Sequence, residues 1–237
     1  GLSMAGGAKP VLVRAVGPGL AAFGVGGAMP DPELALFGDS QLIAGNNDWG
    51  GGTDLAAAFA AVGAFGLSPG SLDAAIFGPV EGGRTAQVSG PIGGVVLVEA
   101  YDAGTGDLPR LVNVSARNRI GPAGDLLIAG FTLTGDAAKT ILIRAIGPTL
   151  TAFGVPGALV DPKVEVYSGT DKVAENDDWP SSLAATFGSV GAFGLNPGGK
   201  DAALVLTLAP GGYTVQVSGV GGASGETLIE LYEVPAP

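Results

Sequence analysis

The feature that most constrains the fold is an internal duplication of the sequence. Residues 11 to 50 align with residues 141 to 180 without a gap, and 18 of these 40 positions are identical. Similarity at a fixed offset indicates two copies of one structural unit. The sequence therefore predicts two tandem domains, at residues 1 to 108 and 109 to 237. The similarity continues in three further pairs of segments: 55 to 75 with 183 to 203, 82 to 90 with 211 to 219, and 97 to 102 with 228 to 233.

Copy two has the pattern of an all-β domain. Apolar and polar residues alternate in "KVEVYS" and "YTVQVS", which is typical of antiparallel strands with one solvated face. The predicted fold class is all-β, with two tandem antiparallel β-sandwich domains of jelly-roll type. The Ala-rich segment 183 to 192 is either a short helix or an irregular segment. The predicted strands are 111 to 117, 125 to 134, 140 to 146, 163 to 168, 171 to 175, 202 to 208, 212 to 218 and 227 to 233.

Copy one lacks the beginning of this pattern. Its first residues, "GLSMAGGAKP", match copy two only from "GFTLTGDAAKT" onward, so that nothing in copy one corresponds to residues 111 to 129. A sandwich without a strand leaves backbone groups and core side chains that another strand must cover. Three sources are open: residues before Gly1, the segment 111 to 120 of the same chain, or a neighbouring subunit, which would give head-to-tail association.

Charge and residue types exclude several functions. The net charge is −11, and no basic stripe could neutralise phosphates, so nucleic acid is not an expected partner. The longest apolar stretch that suits a helix, 55 to 67, is too short to span a bilayer, so membrane insertion is not expected either. The chain contains neither cysteine nor histidine, which removes thiolate, imidazole and Cys/His zinc chemistry.

An enzyme is not expected. Paired carboxylates can hydrolyse glycosides without histidine. However, the acidic residues that both copies share lie at turns or opposite an arginine, and two equal copies of one active site would be unusual. These shared pairs are Asp31 and Asp161, Asp48 and Asp178, Asp73 and Asp201, and Glu99 and Glu230.

The glycines after the strand "VLVRAV" invite comparison with a phosphate-binding loop. Such a loop needs glycine where the backbone closes on the anion, and usually a lysine that meets the charge. Copy two has Thr149 where copy one has Gly19, and no lysine follows in either copy. The segment is therefore interpreted as a corner between strands.

Each copy has one arginine and one glutamate inside otherwise apolar strands. Arg14 and Arg144 interrupt "VLVRAV" and "ILIRAI", while Glu99 and Glu230 interrupt "VLVEAY" and "LIELYE". Burial of either charge alone is costly. We therefore predict structural ion pairs, with Asp31 or Asp161 as a further partner of the guanidinium; a substrate-binding arginine is the alternative.

A third shared motif is "GNNDWG" in copy one and "ENDDWP" in copy two. It contains Asn46, Asp48 and Trp49, matched by three residues of copy two: Asn176, Asp178 and Trp179. Asn and Asp commonly bond their own backbone in tight turns, so a turn with a packed tryptophan is the leading interpretation. The alternatives are a Ca²⁺ site at the four Asn and Asp residues and stacking of the tryptophans on a sugar. No other cofactor is predicted.

Copy two resembles the bacterial pre-peptidase C-terminal domain family. The resemblance rests on "DPKVEVYSGTDKVAENDDW" and "LTLAPGGYTVQVSGVGGASGETLIELYEV" and covers about 75 residues. It implies a small extracellular β-sandwich that accompanies a larger protein and in some members binds calcium, matrix or polysaccharide. Copy one departs from the pattern, since Arg84 replaces Tyr213. Both copies also resemble tandem repeats of secreted proteins from environmental bacteria.

The sequence thus favours an extracellular or cell-surface structural protein. The leading hypothesis is a subunit of a fibre, surface layer or adhesin stalk, with head-to-tail self-association by addition of a strand from one subunit to another. The alternative is an accessory module that binds polysaccharide or matrix, with calcium at the Asn-Asp turns.

Overall fold

A computed structural model describes residues 1–106, 109–122 and 126–235, which are mostly β. The chain divides into two compact units, Gly1–Val112 and Asn113–Pro237, called unit 1 and unit 2 below. The predicted domain boundary at residue 108 and the predicted strand start at residue 125 lie outside the described residues. The division of the chain into domains at 1 to 108 and 109 to 237 stays a prediction.

The elements of unit 1 are β1 (Leu2–Val16), β2 (Glu33–Gly38), β3 (Gln41–Asn46), α1 (Thr53–Ala61), β4 (Ala74–Ser89) and β5 (Leu97–Asp102). The long strand β4 pairs with two groups of strands. Its first part pairs with β1, which pairs with β5 on its other side. Its last part pairs with β2, which in turn pairs with β3. All four pairings are antiparallel.

The strands of unit 2 are β6 (Arg110–Ile120, which begins in unit 1), β7 (Leu127–Leu133), β8 (Lys139–Ile146), β9 (Pro162–Ser168), β10 (Asp171–Asn176), β11 (Ala202–Leu208), β12 (Gly211–Gly219) and β13 (Gly225–Glu233). They lie in two antiparallel sheets, in the orders β11-β8-β13-β6 and β10-β9-β12-β7. All eight strands predicted for copy two are present, with ends that differ by a few residues. The Ala-rich segment forms the short helix α2 (Ala184–Ser189).

Each unit has apolar side chains buried on both faces of the sheet that contains its arginine strand. In unit 2, alternate residues of β8 point to opposite faces: Ile143 packs with the strands of the facing sheet, whereas Leu142 packs with the aromatic residues around α2. Unit 1 repeats this with Val13 and Leu12 of β1. The period of two along a strand explains why these strands are apolar at nearly every position.

The glycine after β1 is required by a close approach of backbone. A Cβ at Gly17 would lie 2.1 Å from the carbonyl oxygen of Met29, and a Cβ at Gly147 would lie 2.1 Å from that of Leu159. No other residue fits either corner without a shift of the backbone. Each corner continues into a short 3-10 turn, in which proline occupies the first position.

The helices are few and short. Within the described ranges, none is long and apolar enough to cross a membrane.

Candidate functional site

The guanidinium of Arg14 is a fully buried charged group of unit 1. Its Nε donates to Oε2 of Glu99 at 2.9 Å, its Nη2 donates to the same oxygen, and its Nη1 donates to the carbonyl oxygen of Phe65 at 2.6 Å. The rings of Phe59 and Phe65 lie 4.8 and 4.5 Å from the guanidinium carbon. Tyr101 donates its hydroxyl to the other oxygen of Glu99 at 2.6 Å.

Unit 2 has the same cluster around Arg144. Nε and Nη2 donate to Oε2 of Glu230 at 2.9 and 2.6 Å, and Nη1 donates to the carbonyl oxygen of Phe193 at 2.5 Å. Phe187 and Phe193 lie 4.8 and 4.5 Å from the guanidinium carbon, and Tyr232 donates to Glu230 at 3.0 Å. Both arginines therefore form ion pairs with the glutamates that the sequence pairs with them.

The other partner expected for these arginines is not there. No hydrogen bond in the described part of the chain joins Asp31 to Arg14 or Asp161 to Arg144, and Oδ1 of each aspartate is buried without a hydrogen-bond partner. Three N–H groups of each guanidinium donate to one glutamate oxygen and one backbone carbonyl instead. Both arginines are fully buried, which favours the structural ion pair over a substrate-binding arginine.

The environment of the glutamates changes the acidity of the tyrosines. Burial, followed by the hydrogen bond to Glu99, raises the pKa of Tyr101 to about 12. Burial, followed by the charge of Glu230, raises the pKa of Tyr232 as well. Both phenols therefore remain protonated donors at neutral pH, so that each cluster keeps its hydrogen bonds.

The turn at Gly17 to Gly19, called the glycine corner of unit 1, surrounds the carboxylate of Asp73. Asp73 is fully buried. Its Oδ1 accepts from the backbone N–H of Gly17 at 2.8 Å, both carboxylate oxygens lie 3.1 Å from the N–H of Gly19, and Ser71 donates its hydroxyl to Oδ2 at 2.7 Å. The N–H groups that resemble a phosphate cradle are thus already satisfied by a carboxylate.

In unit 2, Asp201 takes the same place. It accepts from the N–H of Gly147 at 2.8 Å, and from the N–H and the hydroxyl of Thr149 at 3.3 and 2.5 Å. The threonine hydroxyl therefore supplies the bond that Ser71 supplies in unit 1. From the sequence, Asp73 and Asp201 are recognisable only as shared acidic residues at turns. The signal that distinguishes them is the "DAA" triplet, which stands before an apolar strand in both copies.

The Asn-Asp motif of unit 1 is a braced turn. Asn46 donates its amide N–H to the carbonyl oxygen of Asp48 at 2.9 Å, and its amide oxygen accepts from the N–H of Ala75 at 2.9 Å. The corresponding Asn176 makes the same two bonds, to Asp178 and from Ala203. The amide oxygen proposed as a calcium ligand is therefore engaged with the backbone in both units.

The aspartates of these motifs lie at the surface. Asp178 forms an exposed ion pair with Lys200, with 2.9 Å between Oδ2 and Nζ, whereas Leu72 stands in the place of this lysine in unit 1. Among the described residues no group of three or more Asp, Glu, His or Cys side chains is arranged to hold a metal ion. Calcium at Asn46, Asp48, Asn176 and Asp178 has no further support in this geometry.

The two tryptophans are core residues. Trp49 is 5% exposed, its ring centroid lies 5.4 Å from that of Phe59, and its indole N–H is 3.1 Å from both the carbonyl oxygen of Ser68 and the hydroxyl of Ser71. Trp179 is 7% exposed and packs on Phe187 at 5.2 Å. Neither ring has an open face on which a sugar could stack.

One cavity of unit 1 has acidic walls. It has a volume of about 540 Å³ and is wide open to solvent. The residues that line it are Asp31, Glu33, Asn47, Ser89, Gly90 and Pro91. In unit 2 Lys163 stands in the place of Glu33 and Asp177 in the place of Asn47, so the arrangement of charges differs between the two units.

The edge of β5 distinguishes unit 1 from unit 2. β5 pairs with β1 and with no other strand in the described residues, whereas the corresponding strand β13 pairs with β8 on one side and with β6 on the other. Val98 of β5 is 48% exposed, although its counterpart Ile229 is fully buried. Val95 and Leu97 are 51% and 37% exposed. An apolar strand edge is therefore open in unit 1.

Comparisons with known proteins concern the fold. No family model matches the chain, and no curated protein matches its sequence. Among solved structures, two of infectious bursal disease virus, a VP2 subviral particle and the Gt strain, align with 98% of the chain at 11% and 13% identity, with TM-scores of 0.23 and 0.21. The chain spans 58% of each viral protein.

A third structure belongs to the family that copy two resembles. Over 51% of its length the chain is structurally similar to the pre-peptidase C-terminal domain of collagenase from Bacillus anthracis, at 12% identity and a TM-score of 0.33, with 89% of that domain covered.

Proposed function

We propose that units 1 and 2 are two copies of one jelly-roll-like β-sandwich module, related by internal duplication. The support lies in three matched sets of contacts. The Arg-Glu-Tyr cluster, the aspartate inside the glycine corner and the tryptophan under the Asn-Asp turn occur at corresponding positions of both units, with closely similar distances.

We propose further that the protein is an extracellular or cell-surface structural protein without catalytic activity, and a subunit of a fibre, surface layer or adhesin stalk. The observation that carries this proposal is the open apolar edge of β5, with Val98 half exposed where Ile229 is buried. A strand edge with exposed apolar residues and without lysine or proline favours pairing with another chain. The polar side chains of the three matched sets, in contrast, are engaged in internal contacts that stabilise a scaffold.

Sedimentation velocity over a wide range of protein concentration, together with electron microscopy, tests the assembly. The matched variant is Val98→Pro, because proline removes an N–H from an edge strand and is tolerated where that N–H faces solvent. We expect the wild-type chain to assemble and Val98→Pro to remain monomeric with an unchanged circular dichroism spectrum. A wild-type chain that stays monomeric at every concentration would contradict the proposal.

A further inference from the structure

We propose that the outer edge of β5 binds an extended peptide strand of the β6 type, antiparallel to β5 and in the register that β6 has with β13. The strand is supplied by a further unit of the same kind. This inference rests on the assembly role proposed above, and it adds the position, the direction and the side-chain pattern of the partner.

The backbone of β5 presents its free groups to this edge. On the inner side, Val95 exchanges two hydrogen bonds with the segment at Gly27 and Met29, and the N–H of Ala103 donates to Pro10 of β1. Backbone groups alternate in direction along a strand. The N–H and C=O groups of Val96, Val98 and Ala100 therefore point to the outer edge, where they can pair with an incoming strand.

Unit 2 provides the template for the partner. Leu228 lies opposite Arg117, Ile229 opposite Ala116, and Leu231 opposite Val114. The segment "LVEAYD" of β5 aligns with "LIELYE" of β13. The counterparts of these three β13 residues are therefore Leu97, Val98 and Ala100. The incoming strand therefore has a small residue opposite Val98 and a β-branched residue opposite Ala100.

An amide side chain completes the template. Asn113 of β6 donates its amide N–H to the carbonyl oxygen of Leu231 at 3.0 Å. The corresponding acceptor in unit 1 is the carbonyl oxygen of Ala100. An asparagine at the position of Asn113 is therefore part of the expected partner sequence.

One position departs from the template and makes the partner specific. Arg119 of β6 lies opposite Glu226 of β13, where the two charges are of opposite sign. In unit 1 the place of Glu226 is occupied by Val95, which is 51% exposed. A valine edge favours an aliphatic neighbour across the strands. A β6-type strand therefore fits β5 better when an aliphatic residue replaces Arg119.

Disulfide trapping with a synthetic peptide of residues 110 to 120 tests the register on the full chain. The chain contains no cysteine, so one introduced thiol reports one position. We expect Leu97→Cys to cross-link to the peptide with Arg117→Cys, and Val98→Cys to the peptide with Ala116→Cys, since facing residues lie within the Cα separation that a disulfide needs. The mismatched control pairs Leu97→Cys with the Ser115→Cys peptide.

The outcomes separate this inference from the proposed assembly. Cross-linking that is several-fold faster for the matched pairs than for the mismatched pair supports the register, even if sedimentation finds only monomers. Equal rates for all pairs, or no cross-link with either cysteine variant, overturn it, even if the chain assembles through another surface. In addition, the Arg119→Val peptide should bind about two- to fivefold more tightly than the parent peptide; weaker binding would overturn the preference for an aliphatic residue.

Discussion

In unit 2 the side chain of Ile229 is fully buried, whereas Val98, at the corresponding position of unit 1, is 48% exposed. Both residues lie on strands that pair with an arginine strand on one side. The difference is the strand on the other side, because β6 covers β13 in unit 2 and no described strand covers β5 in unit 1. The comparison teaches that the buried polar clusters form with or without the covering strand, but that the apolar core is closed only when this strand is present.

A second difference lies on the outer surface. The β9–β10 hairpin has four charged residues joined by ion pairs: Lys163, Glu165, Lys172 and Glu175. The β2–β3 hairpin has Glu33, Ala35, Leu42 and Gly45 at these positions, and Leu42 is 61% exposed. The buried polar residues of the two units are therefore more similar than the residues on the surface of their hairpins. This is expected because removal of one partner leaves a buried charge unpaired.

The largest expected effect comes from breaking the buried ion pair of one unit. Arg144→Met leaves the carboxylate of Glu230 buried without its partner, and loss of one member of such a pair costs about 3–5 kcal/mol. We expect unit 2 to lose this free energy of unfolding. Each unit contains one tryptophan, so denaturation followed by fluorescence in a Trp49→Phe background reports unit 2 through Trp179.

The double variant Arg144→Met/Glu230→Gln is the control for this experiment. It removes both charges and should recover part of the lost free energy. Arg14→Met, followed through Trp49 in a Trp179→Phe background, should destabilise unit 1 by a similar amount. A loss of less than about 1 kcal/mol of unfolding free energy in both units would contradict a structural role for these pairs, because ion pairs at the surface contribute no more than that.

The open edge predicts unequal effects of matched truncations. Ile229→Ala removes a fully buried side chain and should cost about 2–5 kcal/mol. Val98→Ala removes a half-exposed side chain and should cost less than about 1 kcal/mol. The measurement is again denaturation followed by the tryptophan of each unit. Equal costs in the two units would mean that Val98 is covered in solution, for example by a strand from another chain.

Much of this fold is predictable from local pattern. The strands of copy two follow from alternation and turn residues, and the Arg14–Glu99 pair follows from two charges that each interrupt an apolar strand. The place of Asp73 does not follow, because its partner Gly17 is 56 residues away and nothing local specifies which acid reaches the corner. Likewise, Gly82 and Gly83 suggest a break, whereas β4 continues through them as one strand.

A smaller effect is expected at the glycine corner. Asp201→Asn replaces one acceptor oxygen by an N–H₂ group that faces donors, and loss of hydrogen bonds to a charged group costs about 1.5–3 kcal/mol. Asp73→Asn should cost unit 1 a similar amount. Thr149→Ser retains the hydroxyl that donates to Asp201 and serves as the mild control. If Asp201→Asn is as stable as the wild type, the carboxylate is not what holds the corner.

The smallest effect is expected at the charged hairpin of unit 2. Hydrogen bonds from Lys172 and then Lys163 lower the pKa of Glu175 from its ordinary value of 4.5 to about 2. Because the pKa is lower in the folded state, the contribution of Glu175 to stability is present above about pH 4.5 and is lost as the pH falls through about 2. Unit 1 has Gly45 at this position and lacks this acid dependence.

An NMR titration of the Glu175 carboxyl checks this directly. Lys172→Met should raise the pKa of Glu175 toward its ordinary value, and so should added salt, because the pair is exposed and salt screens it. A Glu175 carboxyl that titrates near pH 4.5 in the wild-type chain would show that its ion pairs do not persist in solution. In that case the charges of the β9–β10 hairpin would serve solubility alone, and the two hairpins would differ in charge without differing in stability.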